Sequence, residues 1–83
     1  MNRTAEVSII GAMLTDNIAN VTAAACLRST DFELGYAQVY QAIKDLPKDQ
    51  RDALIETMRD RAFVPGNVIH YIKILKGELP TTN

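Results

Sequence analysis

Few residues in this chain could do chemistry. Four carboxylates, Asp49, Asp52, Glu56 and Asp60, recur at steps of three and four, which on a helix sets them along one flank. Carboxylates gathered in that way could hold a hard cation through oxygen ligands. Lys48, Arg51, Arg59 and Arg61 interleave with them, so the spacing predicts a solvated flank with local pairs of the Glu56–Arg59 kind rather than a metal site. A catalytic thiol needs an activating base and a positive surrounding. The single cysteine, Cys26, and the single histidine, His70, are not tied to each other by any spacing. One Cys and one His cannot make a zinc set either. Gly11, Gly35, Gly66 and Gly77 form no phosphate-cradling glycine loop. The expectation is a protein with no catalytic residue, cofactor or metal.

Composition fits a small globular domain. The chain has 83 residues, 47% of them apolar and 23% charged, with a net charge of -1. That is one domain of limited burial and marginal stability. A near-neutral chain lacks the overall positive field that drives non-specific binding to nucleic acid, although a local basic face remains compatible with it. There is no basic stretch followed by an apolar one at the N-terminus, and no apolar run approaches the roughly 18 residues of a membrane span. A lone cysteine makes no intrachain disulfide, which points to a reducing, cytoplasmic setting. With Ala23, Ala24, Ala25 and Leu27 around it, Cys26 is expected to be a small buried apolar residue.

The elements that would position these side chains are all helical. Five segments carry a three-to-four-residue apolar period, and none alternates as a strand does. The first spans about Thr4 to Leu14, with Thr4 as N-cap, Glu6 at the positive helix end, and Val7, Ile10, Met13 and Leu14 on one face. Asp16 or Asn17 caps the second, Ile18 to Leu27, which is expected to turn Ile18, Val21, Ala25 and Cys26 inward. Ser29-Thr30-Asp31 breaks the pattern. The third, Leu34 to Leu46, repeats Tyr36, Val39, Tyr40, Ile43 and Leu46 and is closed by Pro47. The fourth, Asp49 to Arg61, has a thin stripe of Leu54, Ile55 and Met58. Ala62-Phe63-Val64-Pro65-Gly66 reads as a turn with its large apolar residues tucked in. Asn67 is expected to cap the fifth helix, Val68 to Lys76, with Gly77 ending it and Pro80 preventing its resumption. The predicted fold is all-α, a compact bundle of about five short helices with a core over residues 4–77 and a flexible tail over 78–83.

Binding is the function this pattern favours. Tyr36, Tyr40 and Tyr71, with Arg59, have the side chains that anchor protein interfaces. Only two Phe accompany the three Tyr, so most of the aromatics are needed for the core. A helix-turn-helix reading competes with this one. The fourth and fifth helices would flank the Pro65-Gly66 turn, and Arg61, Asn67, His70 and Lys73 would face DNA. Against it, acidic residues are nearly as dense as basic ones there, and the turn exceeds the usual three to four residues.

Several blocks of the sequence resemble one family. The run Glu6-Val7-Ser8-Ile9-Ile10-Gly11-Ala12-Met13-Leu14 followed by Asp16-Asn17 is similar to the opening helix of the N-terminal domain of DnaB-type replicative helicases. Thr30-Asp31-Phe32, Val39-Tyr40-Gln41-Ala42-Ile43, Leu54-Ile55-Glu56-Thr57-Met58 and Ile69-His70-Tyr71-Ile72-Lys73-Ile74-Leu75 resemble its later blocks in order. The sequence departs from the family at Pro47-Lys48-Asp49-Gln50 and at Pro65-Gly66-Asn67, and it stops at Asn83, where the family continues into a subunit-pairing hairpin, a linker and a motor. The resemblance implies a free-standing copy of the ring-collar domain, an accessory replication factor of phage or plasmid type. Its implied partners are the replicative helicase, primase or helicase loader. A domain this small also gains stability by self-association, so a homodimer is a further expectation.

Overall fold

The computed structural model describes residues 1–59, 61 and 64–79. Among them are five α-helices, α1 (Arg3–Met13), α2 (Asn17–Cys26), α3 (Leu34–Lys44), α4 (Lys48–Met58) and α5 (Pro65–Leu75), and a 3-10 turn over Ser29–Asp31, with no strand. The radius of gyration, 11.9 Å, matches the roughly 12 Å of a folded globule of this length. No described helix is long and apolar enough to cross a membrane. The inward tuck expected of Ala62 and Phe63, the place of Asp60 on the acidic flank and the tail from Pro80 onward lie outside the described residues.

The first two helices start at a side chain that accepts from a free N–H group, and the fifth starts at a proline that has none to satisfy. Asn2, not Thr4, caps α1, its side chain accepting from Ala5 N at 2.8 Å. Asp16 caps α2 through Oδ1 and Ile18 N at 2.9 Å. In the 3-10 turn, the Asp31 carboxylate reaches back to Arg28 N at 2.8 Å, the local competition with longer helix that its residue type favours. The fifth helix begins earlier than expected. Pro65 opens it, with Val64 as its N-cap residue, so Asn67 lies inside the first turn instead of capping it. Proline has no N–H to satisfy and a φ already helical, so it starts a helix readily and carries Gly66 and Asn67 with it.

The far end of α5 closes as its glycine predicts. Gly77 takes φ 77°, and Gly77 N donates to Ile74 O at 3.0 Å while Glu78 N donates to Lys73 O at 2.9 Å. That pair of bonds satisfies two carbonyls that the helix end leaves free.

The core is one cluster of Ile10, Met13, Leu14, Phe32, Val39, Tyr40, Ile43, Leu46, Leu54, Met58, Val68 and Ile72. α1 packs on α2 and α3, α3 on α5, and α4 on α5. The stripes read from α3 and α4 are those buried, with Tyr36 half-buried at the edge, and α5 buries Val68 and Ile72. Two parts of the α1–α2 expectation fail. Val7 is exposed, and Glu6 is buried in its place beside Ile10 and Met13; the Glu6 carboxylate accepts from Glu33 N, capping the start of α3 across the core. α2 buries only Asn20.

Candidate protein-interaction surface

The roll of α2 about its axis follows from Asn20. Its Nδ2 donates to Met13 O at 3.0 Å and its Oδ1 accepts from Arg51 Nη1 at 3.2 Å. A buried amide must find such partners, and Met13 O and Arg51 supply them on the core side. At about 100° per residue, turning Asn20 inward swings Ile18, Val21 and Ala25 outward. Ile18 is 77% exposed and Val21 50%, the reverse of the packing their apolar character predicts. Cys26 is also exposed and is not the core residue its alanine neighbours suggest.

Beside this ridge lies a groove between α1 and α2. It encloses about 350 Å³ and is lined by Ile9, Ala12, Ala19, Thr22, Ala23, Cys26 and Leu27. No lining residue is charged, and neither is any residue of α2. Isolated exposed apolar residues are ordinary on a protein surface; a contiguous set marks a contact site. The groove and ridge form such a set. Sequence reasoning passed over it because apolar residues were assigned inward by type. The lack of charge along α2 is the part of the signal that the sequence carries.

The tyrosines and the basic residues named from sequence fall in other places. Tyr40 is wholly buried. It stacks on Phe32 with ring centroids 4.6 Å apart, and its hydroxyl donates toward Leu27 O at 2.7 Å and Ala23 O at 3.0 Å. Burial pushes the Tyr40 phenol above its ordinary value of 10.0, with smaller electrostatic contributions from Asp31 and Cys26 in the same direction. Tyr40 is therefore a core residue and no contact candidate, because its hydroxyl finds acceptors inside the fold. Tyr36 and Tyr71 are half-buried against the core. Arg59 is exposed and pairs with Glu56 at 3.3 Å.

On α5, Asn67, His70 and Lys73 are all exposed, and their three-residue spacing keeps them on one side of the helix. Arg61 lies over the Tyr71 ring at 5.4 Å, and His70 meets Tyr71 edge-on at 6.1 Å. Of the four residues of the DNA-binding reading, Arg61 and His70 meet at Tyr71.

Along α4, Lys48 pairs with Asp52 at 2.9 Å. With the Glu56–Arg59 pair, this makes the flank of local ion pairs expected from the interleaved charges. No grouping of His, Cys, Asp and Glu among the described residues is suited to a metal ion.

Comparison of the chain with protein-family models, with curated proteins and with solved structures finds no match.

Proposed function

We propose that this chain is a non-enzymatic accessory protein of DNA replication, of phage or plasmid type, that docks a replisome component on its α1–α2 face. The observation that carries the binding role is the uncharged ridge and groove around Ile18. Leaving Ile18 and Val21 in water forgoes the burial energy of their side chains, about 1.5–3 kcal/mol each when fully buried, and a partner helix laid in the groove would recover part of it. The order of the Glu6–Leu14 block and the later blocks supports a replicative helicase, primase or helicase loader as that partner.

The test is direct binding of the purified chain to a purified replicative helicase, primase and loader in turn. One of the three binds the wild-type chain, and Ile18→Asp weakens that complex at least about tenfold, a change of about 1.4 kcal/mol. If none of the three binds, the reading is wrong.

A second reading has its own observation, the exposed Asn67, His70 and Lys73 on one side of α5 with Arg61 nearby. It makes the chain a DNA-binding regulator. Its affinity for duplex DNA would fall steeply with salt and weaken in Lys73→Glu. No retardation of duplex DNA at low salt removes it.

A further inference from the structure

We infer that, without a partner, the α1–α2 face is covered by a second copy of this chain, so that the homodimer and the partner complex exclude one another. The inference rests on the reading of that face as the docking surface and names a further occupant for it.

Two observations select a second copy, and a third sets the strength of the contact. The first is charge. A two-fold contact brings each residue near the axis against its own copy, so a charged residue there repels itself. No residue from Asn17 to Leu27 is charged, and none that lines the groove is. The chain as a whole carries only -1, so two copies approach with little overall repulsion.

The second is shape. An isologous interface needs projection and recess on the same surface. α2 has both: Ile18, Val21 and Ala25 project, and Ala19, Ala23 and Cys26 line the recess a fraction of a turn away. Two α2 helices crossing about a two-fold axis would each set the Ile18 ridge of one copy into the groove of the other. A recess of 350 Å³ is at the small end of the roughly 300–1,000 Å³ of ligand clefts, a size for inserted side chains.

The third is area. A standard interface takes about 800 Å² from each partner, roughly 15% of the 5186 Å² surface of this chain. A helix of ten residues is only about 15 Å long, and with its groove it falls short of that figure. A contact of this size is transient, which lets a partner displace it.

The experiment is sedimentation of the full chain across the micromolar to millimolar range, with Cys26 thiol reactivity read on the same samples. The expected weight-average mass rises from 9.2 kDa toward twice that value with concentration, and the thiol reacts several-fold more slowly as it does. Ile18→Asp and, separately, Val21→Lys hold the mass at the monomer value and keep the thiol reactive. Both positions face water, and an acid in the first turn of α2 suits the helix dipole, so far-UV circular dichroism stays that of the wild type. Lys73→Glu, on α5, leaves dimerisation unchanged. A mass of 9.2 kDa at every concentration, or a dimer that both α2 variants leave intact, overturns the inference.

Adding the replisome component that binds must also lower the dimer fraction. A chain that stays monomeric and still binds a replisome component through Ile18 overturns the dimer alone. A dimer broken by Ile18→Asp that binds none of the three overturns the proposed function alone.

Discussion

Arg51 on α4 donates through Nη1 to Oδ1 of Asn20 on α2 at 3.2 Å, a bond that spans 31 residues and decides which side of α2 meets water. Asn20 is wholly enclosed and uses its other end on Met13 O at 3.0 Å. Asn20→Ala removes both bonds and leaves buried polar groups unpaired, so it should cost about 2–3 kcal/mol. Arg51→Ala should cost less, since it removes one bond and a side chain that is not fully buried. Urea denaturation of both variants and of the double variant measures the coupling. Additive losses would show that the two residues act independently.

Glu6 is the second buried polar residue. Oε1 accepts from Glu33 N, and Oε2 has no partner among the described residues. Glu6→Ala orphans the Glu33 N–H and opens a cavity, so a loss of about 2–4 kcal/mol is expected. Glu6→Gln keeps the acceptor and the volume and should lose less. Thermal unfolding of the pair reads the difference; equal losses would exclude the capping bond as the cause.

Tyr40 makes stability depend on alkaline pH. Its phenol is raised above 10.0, first by burial and then by Asp31 and Cys26, so the unfolded chain releases this proton before the folded one does. The contribution is complete below pH 10 and is lost as pH rises from there through the folded value. Absorbance titration of the tyrosines should show one phenol ionising late, together with unfolding. Tyr40→Phe, which removes the bonds to Leu27 O and Ala23 O, should lower stability at neutral pH by about 1 kcal/mol and abolish this part of the alkaline loss. A phenol that titrates normally in the folded chain would contradict it.

Gly77 holds a left-handed backbone at φ 77° with open space where a Cβ would stand. The cost of Gly77→Ala is therefore backbone strain alone, about 1–2 kcal/mol, and Gly77→Asn should recover part of it. Differential scanning calorimetry gives the order glycine, asparagine, alanine in falling midpoint. An alanine variant as stable as the wild type would refute it.

Helix number and type could be read from the chain because apolar period, caps and breakers act within a few residues. Val39, Tyr40 and Ile43, and likewise Leu54, Ile55 and Met58, point inward by their spacing alone. Asp16 and Gly77 announce a helix start and a helix end by their own chemistry. The start of α5 was misplaced because Asn67 and Pro65 are both good starters, and the proline, coming first, prevails.

The docking face was not legible in that way. Ile18, Val21, Ala25 and Cys26 are as apolar as the core, and residue type alone sends them inward. Their exposure depends on Met13 and Arg51, distant in sequence, meeting Asn20 and fixing the roll of α2. The sequence by itself determined the helices, the Asp16 start of α2, the Gly77 end of α5 and the lack of charge on α2. Only the tertiary structure decided that this uncharged helix shows its apolar side to solvent, because the partners that seat the Asn20 amide, Met13 O and Arg51, come from α1 and α4 and meet α2 only in the folded chain.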